Sequence, residues 1–138
     1  MNVTPYLSFD GTCEEAFKFY EKCLGGKIAF MMTWGESPMA DQAPPGWGGK
    51  IMHTTLTVGD QKLQGADVPA GQYEKPRGIE LSLGLNDPAQ AERIFAELSE
   101  GGAVNIPLAE TFWALRFGEV RDRFGTPWII NCEKPVES

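Results

Sequence analysis

Histidine, cysteine and long hydrophobic runs are all scarce in this sequence of 138 residues, which has one histidine and three cysteines. The cysteines, at positions 13, 23 and 132, are too few and too scattered for a disulfide framework or a zinc ribbon. The apolar runs are only a few residues long, whereas a helix that crosses a bilayer needs roughly 20. We therefore expect reduced, structural cysteines and no membrane partner.

Positive charge is scarce as well. Twelve Lys and Arg residues stand against nineteen Asp and Glu, which gives a formal net charge of -7. An acidic surface repels phosphate backbones, so no nucleic-acid partner is expected. The N-terminus has neither a basic stretch nor a long apolar core, which predicts no signal peptide and a cytoplasmic location.

The first half of the chain contains four strand patterns and one helix pattern. Alternating apolar and polar residues predict strands at 3–9, 27–34, 51–58 and 61–66. Between the first two strands, Thr12 with Glu15 predicts a capping box, and Gly25 and Gly26 predict the end of the helix. Ile28, Phe30 and Met32 are expected on one face of the second strand. A loop at 35–49, rich in Pro and Gly, is expected to be mobile or to form a lid or rim.

The second half repeats this order after a linker at about 69–78. Strands are predicted at 79–85, 104–108, 115–121 and 127–132. Asn86 or Asp87 caps a helix that starts at Pro88 and ends before Gly101. These patterns predict one α+β domain over 1–138, built from two βαβββ modules at about 1–68 and about 79–134. Together the modules would form a cupped mixed β-sheet with the helices on its outer face.

Several segments resemble the PhnB-like branch of the vicinal-oxygen-chelate superfamily, which includes glyoxalases, extradiol dioxygenases and bleomycin-resistance proteins. They are Pro5-Tyr6-Leu7-Ser8-Phe9, Phe19-Tyr20 with Leu24-Gly25-Gly26, Phe117-Gly118, Arg121-Asp122-Arg123-Phe124-Gly125, Trp128 and Asn131. The resemblance implies paired βαβββ modules, usually in a homodimer, around concave sites for a small molecule.

The metal ligands that the resemblance implies are mostly missing from this sequence. The usual positions fall near Thr4 to Tyr6, on Glu80, near Ile129 and at Gln64. Only Glu80 is a good ligand, since Gln64 offers a neutral oxygen and Ile129 none. We therefore expect no cofactor, while a divalent metal on this incomplete set stays possible. A ubiquinone-pathway methyltransferase name is common among PhnB-like sequences, but this chain lacks the Gly-rich turn of a doubly wound nucleotide-binding fold.

Three residues are candidates for catalysis: His53, Glu80 and Tyr6. Strand alternation directs His53 away from the apolar face, where it either satisfies a hydrogen bond or acts as a general acid or base. Glu80 is expected to face the cavity, where it either pairs with Arg116 or serves as a proton acceptor or weak ligand. Tyr6 either donates a hydrogen bond to a bound oxygen or is a partly buried aromatic at a module contact.

Six further residues are candidates for contact with a small-molecule ligand: Ser8, Thr55, Gln64, Ser82, Trp47 and Trp113. Trp47 lies in the long Pro/Gly loop, where a rim aromatic suits an apolar or planar ligand. Two functions fit these residues. One is a metal-independent enzyme of the lyase or isomerase type that acts on an oxygen-rich small molecule. The other is a non-catalytic protein that binds or sequesters a small molecule.

Overall fold

The computed structural model describes residues 1–69 and 71–135. The chain divides into two compact units, Met1–Glu74 and a second unit that begins at Lys75, and we call them module one and module two. Within the described residues, each module has four strands and one α-helix, which confirms the α+β class and the βαβββ repeat. No helix of the described residues has the length and apolar composition that would let it span a bilayer.

Module one places its helix against one face of a four-stranded sheet. Its elements are β1 (Tyr6–Phe9), α1 (Cys13–Leu24), β2 (Lys27–Thr33), a short 3-10 helix (Ala40–Gln42), β3 (Ile51–Val58) and β4 (Gln61–Asp67). The strand order is β1-β4-β3-β2, with β1 parallel to β4 and the other pairs antiparallel. Phe17 of α1 and Leu56 of β3 are fully buried in the core beneath the helix.

Module two has the same topology. Its elements are β5 (Leu81–Leu85), α2 (Pro88–Ser99), β6 (Ala103–Ala109), β7 (Ala114–Arg121) and β8 (Pro127–Glu133). The strand order is β5-β8-β7-β6, and β5 is parallel to β8. Leu98 of α2 and Trp128 of β8 are buried in its core. In both modules, one parallel pair joins the first strand to the last.

The two helices begin differently. Of the two candidate caps, Asn86 and Asp87, it is Asp87 that caps α2, because its side chain accepts a hydrogen bond from the Ala89 N–H at 3.0 Å. The capping box predicted for α1 is wrong, since the Thr12 side chain makes no capping hydrogen bond with any described residue. The buried carboxylate of Asp67, at the end of β4, instead accepts from the N–H groups of Gly11 and Cys13, at 2.9 and 3.0 Å.

Two predicted strands begin later than expected. The first begins at Tyr6, and Val3, which was expected on its apolar side, is 93% exposed. Pro5 has no N–H to donate to a neighbouring strand, which explains why the strand does not begin earlier. The strand predicted from residue 79 begins at Leu81, so Glu80 lies outside it and is exposed.

A register shift in β2 corrects the predicted face of that strand. Ile28 pairs with Leu56, but Phe30 pairs with Thr55, because the ladder is irregular between Ile28 and Phe30. A bulge of this kind reverses which residues share a face. Phe30 therefore shares a face with Thr55 rather than with Ile28, contrary to the prediction.

Candidate functional site

The face of the module-one sheet that α1 does not cover carries a group of polar side chains. Tyr6 on β1 is the register partner of Gln64 on β4, and Gln64 is the partner of Thr55 on β3. His53 lies two residues before Thr55, so both side chains point to this face. We call Tyr6, His53, Thr55 and Gln64 the polar row. All four were predicted as site residues, and the fold brings them together from three strands.

Hydrogen bonds connect the polar row in one chain. The Tyr6 Oη atom lies 3.2 Å from His53 Nδ1, and His53 Nε2 lies 3.4 Å from Thr55 Oγ1. The Gln64 Nε2 amide donates to the same Thr55 Oγ1 at 3.3 Å. Both nitrogens of the imidazole are thus engaged, each by a hydroxyl group.

Aromatic rings surround His53 on this face. The rings of Tyr6 and His53 are stacked, with centroids 5.7 Å apart, and the Phe30 ring lies 5.9 Å from the imidazole. Tyr6 is 51% exposed and Phe30 is 47% exposed, so a ligand from solvent can reach both. Phe30 was not predicted as a site residue, because no residue pattern in β2 marks the bulge that turns it to this face.

The Tyr6 phenol is a hydrogen-bond donor at neutral pH. Partial burial, and secondarily the nearby Cys13, raise its pKa above the ordinary value of 10.0. Because the phenol keeps its proton, it can donate either to His53 or to a bound oxygen.

Two further predicted residues of module one lie apart from this chain of hydrogen bonds. Ser8 follows Tyr6 by two positions on β1, so it shares the open face and is partly buried. Trp47 lies in the turns between the short 3-10 helix and β3, and it is also partly buried.

In module two, Glu80 and Ser82 are both exposed. Of the two alternatives for Glu80, pairing with Arg116 finds no support, because Arg116 Nε donates to the Glu92 carboxylate of α2 at 2.9 Å. Arg116 lies on the helix side of the sheet, whereas Glu80 precedes β5. The catalytic role of Glu80 stays a prediction, and no contact described here supports it.

Trp113 belongs to an exposed aromatic cluster in module two. Its ring lies edge-on to Phe112 at 4.8 Å and to Phe117 at 5.2 Å.

Phe117 is the register partner of Asn131 on β8. The Asn131 Oδ1 atom is buried and has no hydrogen-bond partner among the described residues, a feature that the sequence pattern did not reveal.

The described residues do not suit a metal ion. Within 1–69 and 71–135, no three His, Cys, Asp or Glu side chains form a group that could hold one. On the open face of module one, His53 is surrounded by a phenol, a hydroxyl and an amide, which are weak ligands for zinc and its neighbours.

The cysteines are not suited to nucleophilic chemistry either. All three are buried and free of disulfides, as predicted. Burial, followed by the charges of Asp67 and Glu14, raises the pKa of the Cys13 thiol. A thiol that keeps its proton is a poor nucleophile.

Comparisons with known proteins cover nearly the whole chain. Residues 1–131 match the family model described as 3-demethylubiquinone-9 3-methyltransferase. Protein YjdN of Escherichia coli strain K12 is 32% identical, with 97% of each chain covered. The crystal structure of protein PA1353 from Pseudomonas aeruginosa is 45% identical, covers 98% of this chain and 99% of that chain, and has a TM-score of 0.89.

A PhnB protein from Bacillus cereus is 25% identical, with 95% of this chain and 98% of that chain covered and a TM-score of 0.79. At the level of the fold alone, the chain is similar to the bleomycin-binding protein of Streptomyces verticillus, with 17% identity, 97% of each chain covered and a TM-score of 0.60. These matches agree with the repeated βαβββ topology. The chain belongs to the family with the 3-demethylubiquinone-9 3-methyltransferase description, which is the PhnB-like branch of the vicinal-oxygen-chelate superfamily.

Proposed function

We propose that the open face of module one binds an oxygen-containing small molecule and that His53 moves a proton there without a metal. The reaction would be of the isomerase or lyase type. The contact between Tyr6 Oη and His53 Nδ1 at 3.2 Å, on a face open to solvent within the module, is the observation that carries the proposal.

The chemistry of the two side chains supports this role. Imidazole both accepts and releases protons near neutral pH, which suits a general acid or base. The protonated Tyr6 phenol can stabilise negative charge that develops on a substrate oxygen. Phe30 supplies exposed apolar surface beside His53 for the carbon skeleton of the substrate.

The methyltransferase description of the family finds no support in the architecture. Two mixed sheets with one parallel pair each differ from the doubly wound parallel sheet that binds a nucleoside cofactor at its Gly-rich turn. At the start of α1, the N–H groups of Gly11 and Cys13 are already bonded to Asp67. We therefore assign no methyl transfer to this chain.

The test measures proton abstraction without knowledge of the natural substrate. Chelator-treated protein is incubated in D2O with small enolisable carbonyl compounds, such as hydroxyacetone and pyruvate, and deuterium at the α-carbon is followed by NMR. We expect incorporation above the buffer rate, and its loss in His53→Gln. Thr57→Val is the matched control, because Thr57 lies on the same strand and bonds the Lys27 carbonyl instead of the imidazole.

Three results would contradict the proposal. Equal incorporation by wild type and His53→Gln would remove His53 from the reaction. Incorporation that requires added zinc or manganese would overturn metal independence. Tight binding of these compounds without any incorporation would point to a binding protein.

Sequestration of a small molecule is the second candidate function, and the aromatic cluster of module two favours it. Phe112 is 89% exposed and Trp113 is 42% exposed. Exposed rings on a chain with a net charge of -7 suit a planar or cationic ligand. Quenching of tryptophan fluorescence by a panel of planar cations, lost in Trp113→Ala and retained in Trp47→Phe, would support this function.

We also propose that the chain is a cytoplasmic homodimer. Exposed apolar residues on β6, Val104 at 46% and Ile106 at 41%, are consistent with a partner surface. Light scattering of the purified protein tests the dimer, and cell fractionation tests the compartment.

A further inference from the structure

We propose that Tyr6, His53 and Thr55 form a reversible hydrogen-bond relay, and that its substrate is a tautomerisable compound that spans the two ends of the relay. The inference rests on the proposed function of this face. It adds a second terminal residue, Thr55, and a class of substrate: carbonyl compounds whose oxygen gains a proton while a C–H, O–H or N–H of the same compound loses one, as in keto–enol exchange.

The relay follows from the two forms of a neutral imidazole, which has one N–H donor and one bare acceptor nitrogen. When Nε2 carries the proton, the Tyr6 phenol donates to Nδ1 and Nε2–H donates to Thr55 Oγ1. The Thr55 hydroxyl proton is then the free donor. In this direction the relay offers a ligand a proton at its Thr55 end.

The opposite direction uses the same atoms at the same distances. When Nδ1 carries the proton, it donates to the Tyr6 oxygen, and the Thr55 hydroxyl donates to the bare Nε2. The phenol proton is then the free donor, and the relay offers a proton at its Tyr6 end. A hydroxyl at each end makes this possible, because a hydroxyl both donates and accepts.

Gln64 holds one end of the relay without setting its direction. Its amide donates to Thr55 Oγ1 at 3.3 Å. The Thr55 oxygen can accept two hydrogen bonds and donate one, so the bond from Gln64 is compatible with both directions. Gln64 is therefore a positioning residue, whereas Tyr6 and Thr55 would touch the substrate.

The proton count balances across one turnover. The substrate oxygen at the Tyr6 end takes the phenol proton, and the phenol oxygen takes the proton of His53 Nδ1. His53 Nε2 takes the Thr55 hydroxyl proton, and the Thr55 oxygen takes a proton from the substrate donor. The substrate leaves as its tautomer, no net charge has moved, and His53 changes from one neutral form to the other. Exchange of the ring protons with water then resets the relay.

The first experiment needs no ligand, because the sequence has a single histidine. Labelling with 15N-histidine gives one pair of ring nitrogen signals, whose positions report which nitrogen carries the proton. We expect intermediate signals in the wild type, since both directions are populated. Thr55→Val removes the hydroxyl that bonds Nε2 and leaves Tyr6 as the hydrogen-bond partner of the ring among the described residues. The phenol should then donate to Nδ1, and the Nε2–H form should dominate.

The controls separate the relay from a general disturbance of the strand. Thr55→Ser keeps the hydroxyl and should restore the intermediate signals, and Thr57→Val should leave them unchanged. A single fixed form in the wild type, or identical signals in wild type and Thr55→Val, would overturn the relay.

The second experiment tests the substrate class with 2,4-pentanedione, whose enol and keto forms are followed by ultraviolet absorption. We expect the wild type to accelerate their interconversion, Thr55→Val to lose at least about tenfold of the acceleration, and Thr55→Ser to regain it. Absence of acceleration by the wild type would contradict the substrate class.

The outcomes distinguish the relay from the proposed function beneath it. If Thr55→Val keeps full activity while His53→Gln loses it, His53 acts alone and the relay is wrong. If His53→Gln also keeps full activity on every compound, the proposed function itself is wrong.

Discussion

Module one and module two share one topology, yet they use their buried aspartates differently. Asp67, which is 1% exposed, accepts hydrogen bonds from the N–H groups of Gly11, Cys13 and Ile51. These donors lie 56, 54 and 16 residues away along the chain. The Asp67 carboxylate therefore joins the start of α1, the start of β3 and the end of β4.

Asp122, which is 3% exposed, makes hydrogen bonds to nearby residues of the chain. It accepts from the N–H groups of Phe124 and Thr126 and from the indole N–H of Trp128, all within six residues. Its carboxylate closes the turn between β7 and β8. A buried aspartate can thus stabilise either a long-range junction or a single turn, and the partners of its oxygens decide which.

The largest expected effect follows from removal of these carboxylates. Asp67→Ala leaves the buried N–H groups of Cys13 and Ile51 and the partly buried N–H of Gly11 without an acceptor. A buried group of this kind costs about 1–3 kcal/mol, so we expect a loss of about 3–5 kcal/mol in the free energy of unfolding. Asp122→Ala should cost somewhat less, about 2–4 kcal/mol, because its carboxylate closes one turn instead of joining three segments of the chain. Urea denaturation measures both losses.

Hydrogen exchange adds the location of each effect. Asp67→Ala should lower the protection of the Gly11, Cys13 and Ile51 amides, while Asp122→Ala should act on Phe124 and Thr126. Equal and uniform loss of protection by both variants would contradict the contrast between a long-range junction and a local turn.

The next effect concerns the glycines beneath each helix. A Cβ atom at Gly65 would lie 2.6 Å from the Phe17 ring, and one at Gly118 would lie 2.9 Å from the Phe95 ring. Gly65→Ala and Gly118→Ala should each cost about 1–3 kcal/mol through overpacking. Gly84→Ala is the control, because a Cβ there meets no described atom within 4 Å. An equal fall in the melting temperature of all three variants would argue against close packing as the cause.

The pH dependence of stability provides a third comparison. Cys13 has a pKa raised from 9.0 by burial, so the folded chain keeps the proton that the unfolded chain loses above that pH. This group therefore lowers the free energy of unfolding by about 1 kcal/mol between pH 9 and pH 10. The raised pKa of Tyr6 adds a loss in the same direction above pH 10. In Cys13→Ala, the free energy of unfolding from urea denaturation should fall less steeply between pH 8 and pH 10. An unchanged slope would show that Cys13 does not cause the decline.

The smallest effect separates the two helix starts. Asp87→Ala removes the cap of α2 and should cost about 1 kcal/mol. Thr12→Ala should cost less than about 0.5 kcal/mol, since its side chain makes no capping bond with the described residues and Asp67 supplies the acceptor. Denaturation of the two variants side by side checks this order, and an equal loss would restore the predicted capping box.

Features that depend on neighbours in the chain were predictable. Asp87 before Pro88 indicated a cap, and the αL backbone of Gly25, at φ 70°, ends α1 where the glycine pair suggested. The alternation of β3 also put His53 and Thr55 on one face. These signals are local, because capping and alternation depend on dihedral preferences within a few residues.

The candidate site was predictable only in part, for the opposite reason. The sequence showed that the side chains of Tyr6, His53, Thr55 and Gln64 are polar. It did not show that their atoms form one chain of hydrogen bonds. A bulge that no residue pattern marks brings Phe30 to the same face. Arg116 forms its ion pair with Glu92 instead of Glu80. Each of these outcomes depends on the register between strands or on a contact with a helix, which residues distant in the chain control.

The amino-acid order was sufficient for the duplicated βαβββ modules, since period-two and helical patterns record which side of each element is buried. The long-range partners of Asp67, the position of Phe30 beside the imidazole and the contacts of both His53 ring nitrogens depend on the tertiary structure. Hydrogen bonds and ring contacts depend on distances of a few ångströms between separate strands, and such distances exist only once the sheet has formed.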